Sequence, residues 1–203
     1  MTSLDSKPQI VVVGNGMVGH HFVEQLHQSD ANVEITVLCG ESRLAYDRVY
    51  LSSFFSGASA DDLALTTPAQ YAEWGVNVVT NALVTDIDRD NNKVTTSEGQ
   101  VFSYDKLVLA TGSYPFVPPI PGNDQEHCLV YRTIDDLLAI EASAAVSKVG
   151  VVVGGGLLGL EAANALKQAG LDTHVVEFAP QLMAVQLDQA GGNVLKDKIE
   201  ALG

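Results

Sequence analysis

The sequence predicts an α/β protein built from two copies of one parallel strand–helix–strand unit, the first copy carrying a small antiparallel β insertion. Three observations predict it. Val11-Val12-Val13-Gly14-Asn15-Gly16-Met17-Val18-Gly19 returns 140 residues later as Val151-Val152-Val153-Gly154-Gly155-Gly156-Leu157-Leu158-Gly159, a spacing too long for a solenoid. The first copy opens on the β-branched run Ile10–Val13, the pattern of a strand buried on both faces. In both copies glycines lead into a helix and a second strand, an order that gives parallel pairing and a right-handed crossover.

The elements follow in order. Ile10 to Val13 is the first strand, Met17 to Gln28 a helix and Glu34 to Leu38 the next strand. Thr67-Pro68-Ala69-Gln70 has the form of a helix start, with Thr67 as cap, Pro68 in the first turn and Gln70 reaching back. Tyr71 and Trp74, at helical spacing, read as core. Val84 to Asp88, Lys93 to Ser97 and Gln100 to Ser103 form the insertion, with turns at Asp90-Asn91-Asn92 and Glu98-Gly99. Leu107 to Leu109 is a buried strand ending in Ala110-Thr111-Gly112.

Four prolines exclude a helix or a central strand from Tyr114 to Gly122. Thr133 caps a helix running to about Ser147. The second copy places its strand at Val149 to Val153, its helix at Leu157 to Ala169 with Gly170 as the terminating glycine, and its last strand at Asp172 to Glu177. The predicted organisation is a first unit over 1–113, a linker over 114–122 and a partial second unit over 123–203. A parallel α/β unit normally continues into another strand, so more chain is expected beyond Gly203.

Composition excludes several classes. With 46 % hydrophobic and 18 % charged residues among 203, the chain has material for a packed core. A net charge of -14 without a Lys/Arg cluster argues against nucleic acid. No apolar run approaches the ~20 residues of a membrane span. Met1 to Gln9 lacks a signal-peptide core, so the cytoplasm is the expected location. Cys39 and Cys128 form no CxxC and cannot supply the thiolates of an iron–sulfur cluster; they are expected to be reduced and at least partly buried. His20 and His21 point to different sides of a helix, and His27, His127 and His174 are isolated, so no metal site is expected.

The glycine loops carry the chemistry. Gly14 permits the turn out of the strand, Gly16 lets a pyrophosphate approach the backbone, and Gly19 lets the helix pack on the sheet. Exposed N–H groups at the helix start then meet phosphate charge. Gly154, Gly156 and Gly159 repeat the pattern, so both copies are Rossmann-like dinucleotide-binding units, and two sites in one chain suggest two different cofactors. Glu41, 22 positions after Gly19, is either a ribose acceptor or a solvated loop carboxylate. Glu177, 18 positions after Gly159, is either a ribose acceptor or a strand-end surface charge. As an acceptor it would repel a 2′-phosphate and favour NADH over NADPH. Phe178 follows, with no arginine nearby to clamp that phosphate.

With these motifs in view, the whole chain resembles the two-dinucleotide-domain flavoprotein reductases, with FAD on the first loop and NAD(P)H on the second. Ala110-Thr111-Gly112 matches their second FAD-contacting element, and Gly40 to Arg48 followed by Leu51-Ser52 resembles a segment running beside FAD. Ala45-Tyr46-Asp47-Arg48-Val49, Leu51-Ser52-Ser53, Ser113-Tyr114-Pro115 and Val130-Tyr131-Arg132-Thr133 are similar, more narrowly, to the family of NAD(P)H-dependent nitrite reductase large subunits.

That resemblance implies NADH-to-FAD electron transfer serving nitrite reduction to ammonia. Sirohaem and iron–sulfur clusters are implied only in later domains of the same chain, with a small subunit as a possible partner. It implies FAD at Gly14, Asn15, Gly16, Met17, Gly19, Glu41, Arg48, Ser52, Ala110, Thr111 and Gly112. It implies the nicotinamide dinucleotide at Gly154, Gly156, Leu157, Leu158, Gly159 and Glu177, with Glu161 beside the nicotinamide as the catalytic candidate.

Alternatives remain for single residues: Arg48 as an ion pair of Asp47, Ser52 as a turn residue, Glu161 as a helix-dipole partner. Gly40 stands where the family commonly has an acidic residue, leaving Glu41 for the ribose. A ferredoxin or rubredoxin reductase and a non-enzymatic nucleotide sensor are the alternative functions. Cysteine-rich modules beyond Gly203 would favour nitrite reductase.

Overall fold

The computed structural model describes residues 6–203; residues 1–5, part of the polar N-terminal stretch, lie outside them. The chain divides into two compact units: one runs up to Arg48 and resumes over Asp61–Ser113, and the other comprises Val49–Ala60 and Tyr114–Gly203. Val49–Ala60, placed in the first unit on sequence, thus groups with the second.

In the first unit the order is β1 (Gln9–Val13), α1 (Met17–Gln28), β2 (Glu34–Leu38), α2 (Pro68–Glu73), β3 (Val76–Val79), β4 (Val84–Asp88), β5 (Lys93–Thr96), β6 (Val101–Ser103) and β7 (Lys106–Leu109). The main sheet has the order β3-β2-β1-β7, parallel throughout, and β4-β5-β6 form the antiparallel insertion. β1 is central, and successive side chains point to opposite faces. Ile10 and Val12 join Val23 of α1, Ile35, Val37, Tyr71 and Val76 in one core. Val11 and Val13 join Leu38, Ala82 and Val94 in the other, with Phe102 and Leu107 packed against it. Both faces of β1 are thus buried, each side chain contributing about 1.5–3 kcal/mol.

β3 has no counterpart in the sequence reading, because four residues interrupted by Asn77 are too short to display a period. The cap of α2 also differs. Thr67 accepts from the Gln70 amide at 3.1 Å as expected, but the Gln70 side chain does not reach back. It accepts instead from the Thr66 hydroxyl at 3.1 Å.

In the second unit a 3-10 helix (Leu51–Ser56) is followed by α3 (Ile134–Ala144), β8 (Val149–Val153), α4 (Leu157–Gln168), β9 (Asp172–Val176) and α5 (Gln189–Glu200). Tyr114 to Ile120 has no regular structure, as its prolines require. Thr133 caps α3 in a capping box: its side chain accepts from the Asp136 amide and the Asp136 carboxylate accepts from the Thr133 amide. β8 and β9 pair in parallel, and α4 lies so close over them that a Cβ on Gly150 would strike Leu166. Unlike β1, β8 is covered on one side only. Val149, Val151 and Val153 are more than half exposed in a sheet that has two strands among the described residues.

Cys39 is buried, but Cys128 is exposed, against expectation, in a turn segment where its Sγ lies 3.5 Å from the Gly122 carbonyl. Among the described residues no helix is long and apolar enough to cross a membrane, and no cluster of three metal-ligating side chains occurs.

Candidate functional site

The two glycine loops have the same backbone. The Gly14 amide donates to the Leu38 carbonyl and the Gly154 amide to the Val176 carbonyl, each at 2.8 Å, tying each loop to the end of the neighbouring strand. Gly14 and Gly154 hold φ of 103° and 120°, a region only glycine enters without strain. A Cβ on Gly19 would overlap the Gly14 carbonyl oxygen, and one on Gly159 would overlap that of Gly154. These third glycines allow helix and loop to close on one another.

Each helix begins at an extended glycine, Gly16 or Gly156, with no side-chain cap and no acidic residue in the first turn. Two helix N-termini therefore present bare N–H groups and the positive end of the dipole. Gly154 and Gly156 face open space, and Gly16 has only Arg48 within 4 Å of where a Cβ would sit. These cradles suit an anionic diphosphate.

Around the first loop, the Ala110 amide donates to Val13 at 2.8 Å, and the Ala110 carbonyl fills the space a Cβ on Gly14 would need. Ala110-Thr111-Gly112 thus follows β7 beside the loop. The Tyr71 hydroxyl donates to Asn15 Oδ1 at 2.7 Å, and His20 Nδ1 lies 2.9 Å from the same hydroxyl. Asn15, Tyr71 and His20 are all buried. Trp74 stacks on His20 and on His27, with centroids at 5.9 and 5.1 Å. Tyr71 is therefore core, as read, but its hydroxyl also anchors the loop, a role without a signal in one sequence. Burial raises the Tyr71 pKa and lowers that of His20, so both are neutral.

Glu41 accepts from the Tyr46 hydroxyl at 2.7 Å and pairs with Arg48, whose guanidinium sits 4.8 Å over the Tyr46 ring. Arg48 thus forms a salt bridge with Glu41. Cys39, on the strand end before Glu41, is a buried thiol held protonated by burial. Ser52 lies in the 3-10 helix, within the second unit.

At the second loop, Glu177 accepts from the Gly155 amide at 2.5 Å through one oxygen and from the Ala179 amide at 2.7 Å through the other. The Ala179 amide first, and then that of Gly155, hold its carboxyl below the usual carboxylate range. Leu157 and Leu158 stand exposed at the start of α4. Glu161 lies one turn further along α4, near enough to Tyr131 that burial first and its charge second push that phenol up to about 12.

Strand register separates the two acidic candidates. Val13 pairs with Leu38 and Val153 with Val176, so Glu177 corresponds to Cys39, and Glu41 stands two residues further along.

Two Rossmann-like loops with uncapped helix starts, one beside a strand-end carboxylate, define an α/β protein of the dinucleotide-binding class. The model of the pyridine nucleotide-disulphide oxidoreductase family matches residues 8–203, and the chain belongs to this family of FAD-dependent oxidoreductases that use NAD(P)H. The chain is 54 % identical over 200 residues to the nitrite reductase (NADH) large subunit of Escherichia coli (strain K12), covering 98 % of this chain and 24 % of that protein. It is 38 % identical to a nitrite reductase [NAD(P)H] of Bacillus subtilis (strain 168), covering 97 % of this chain and 25 % of that one. Among solved structures, the NADH:rubredoxin oxidoreductase from Clostridium acetobutylicum matches with a TM-score of 0.87 and 28 % identity, over 97 % of this chain and 51 % of that chain. The chain therefore spans about a quarter of the length of these nitrite reductases.

Proposed function

We propose that this chain forms the NAD(P)H-to-FAD electron-transfer portion of an assimilatory-type nitrite reductase, with FAD on the first loop and NADH on the second. The observation that carries this reading is the pair of uncapped, glycine-lined helix starts in one chain, each at the carboxyl end of a parallel strand. The 54 % identity over nearly the whole chain supports the choice of nitrite reductase. Residues 1–113 supply the FAD site and 123–203 the nicotinamide site, with 114–122 as linker.

When bound, a flavin accepts a hydride from reduced nicotinamide and releases electrons singly. The protein's part is binding and orientation. Amides of Asn15, Gly16 and Met17, and those of Gly156, Leu157 and Leu158, meet the two diphosphates, with Gly14, Gly19, Gly154 and Gly159 setting the bends. Ala110, Thr111 and Gly112 line the FAD side, Arg48 and Glu41 lie beside the first diphosphate and ribose, and Ser52 is a further candidate FAD contact.

Glu177 accepts from the adenosine ribose diol and repels a 2′-phosphate, favouring NADH. Glu161 lies beside the nicotinamide. Sirohaem and iron–sulfur centres belong to further domains, a small subunit is a partner, and the protein works in the cytoplasm. The likeness to a rubredoxin oxidoreductase favours the second reading, a reductase serving a small iron protein.

An absorption spectrum of the purified full-length protein separates these readings. Flavin and sirohaem bands together are expected. Flavin without sirohaem would favour the rubredoxin-type reductase, and absence of flavin would overturn both.

A further inference from the structure

The second glycine loop is clipped from above by the segment that follows β9. The Met183 amide donates to the Gly155 carbonyl at 3.0 Å, and Met183 adopts a left-handed φ of 52° in doing so. A non-glycine residue in that conformation is uncommon and is held by its surroundings. Two residues earlier, Gln181 fastens the other side of the segment, its Nε2 donating to the carbonyls of Leu187 at 2.8 Å and Asp188 at 3.2 Å. Between these fixings Leu182 lies against Gly155. A Cβ on Gly155 would come within 2.5 Å of Leu182 Cδ2, 3.1 Å of Glu177 Oε2 and 3.2 Å of Glu177 Cβ.

The first loop is built differently. There the position between the first two glycines is Asn15, whose side chain is tied to Tyr71, and the residue matching Glu177 in register is Cys39. Its acidic candidate, Glu41, stands two residues further on and accepts from Tyr46 and Arg48 rather than from a loop amide. In the first loop the Asn15 amide meets the Cys39 thiol, and in the second the Gly155 amide meets the Glu177 carboxylate, whose larger side chain packs directly over the bare Gly155.

We propose that Gly155 is a specificity-determining residue of the second dinucleotide site. Its missing Cβ lets Glu177 and Leu182 close over the loop, and that closure holds the carboxylate where it discriminates between nicotinamide dinucleotides with and without a 2′-phosphate. This rests on the reading of Glu177 as the ribose acceptor. Both carboxylate oxygens are fixed by backbone amides, so the ribose diol meets a pre-set acceptor. The Met183 clip keeps the Gly155 peptide in the orientation that points its neighbouring amide at Glu177.

The test is calorimetric titration of the full-length, flavin-loaded protein with NAD+ and with NADP+, which needs no turnover. Gly155→Ala is expected to fold, since the atoms its Cβ meets are side-chain atoms. It should lower the NAD+ to NADP+ affinity ratio by about tenfold, the scale of one misplaced charge-assisted hydrogen bond, chiefly by weakening NAD+. Adding Leu182→Ala clears the nearest atom, and the double variant should recover part of the ratio. Should Gly155→Ala fail to fold, an intermediate ratio in the double variant carries the test. Glu177→Gln is measured alongside. If Glu177→Gln collapses the ratio while both Gly155 variants keep the wild-type value, the role of Gly155 is overturned and the ribose reading stands. If Glu177→Gln leaves the ratio unchanged, the ribose reading itself falls, and this proposal with it.

Discussion

The Tyr71 hydroxyl donates a 2.7 Å hydrogen bond to Asn15 Oδ1, joining α2 to a loop 56 residues earlier in the chain. Its proton is committed to Asn15, so His20 Nδ1 supplies the donor for the 2.9 Å contact on the other side. Tyr71→Phe strips partners from both neighbours inside the core. The variant is expected to lose about 1–3 kcal/mol of stability, the cost of buried groups left unpaired. Urea denaturation checks this, and an unchanged midpoint would contradict it.

His20 gives this region a pH dependence with a definite sign. Burial holds its pKa below the ordinary 6.5, Glu24 opposing the shift and His21 adding to it. The folded state therefore keeps the ring neutral while the unfolded chain takes up a proton. Stability from this residue is complete above its unfolded pKa and declines as pH falls through the folded one. His20→Asn retains a donor near the Nδ1 position without titrating. The difference in urea midpoint between wild type and variant should shift in the variant's favour between ~pH 7.5 and ~pH 5.5; a constant difference would refute the assignment.

Gly14 is confined by both conformation and space. Its φ is 103°, and any Cβ would overlap the Ala110 carbonyl oxygen, a backbone atom that cannot swing aside. Gly14→Ala is expected to cost about 2–4 kcal/mol, combining left-handed strain with overpacking. Thermal unfolding compared with wild type would expose the error if the two curves coincide.

Arg48 lies over the Tyr46 ring and pairs with Glu41 beside Gly16. Arg48→Met keeps the length and removes the charge. Stability should change by about 1 kcal/mol or less, as for a partly exposed pair, while FAD affinity should fall by about tenfold, the scale of one charge-assisted contact. Quenching of flavin fluorescence on titration measures the affinity, and equal affinities would remove Arg48 from the FAD site.

Much of this architecture was legible in the residues. The repeated glycine pattern after Ile10–Val13 and after Val149–Val153 located both loops and both helix starts, because glycine spacing and β-branched runs are local signals. The Thr133 cap was legible for the same reason. What escaped depends on partners distant in sequence. Nothing local to Tyr71 announces Asn15, and the short β3 becomes a strand only by pairing with β2. The exposed face of β8 carries the same valines as a buried strand, so its sequence cannot tell covered from bare. Spacing offered both Glu41 and Glu177 as ribose acceptors, and strand register shows that Glu177 directly follows its strand while Glu41 stands two residues further along.

Anaerobic stopped-flow mixing of the full-length, flavin-loaded protein with NADH tests most directly whether the two loops serve one electron path. Bleaching of the flavin absorption band, saturating with NADH concentration, is the predicted result. A flavin band that stays unbleached at every NADH concentration would contradict it.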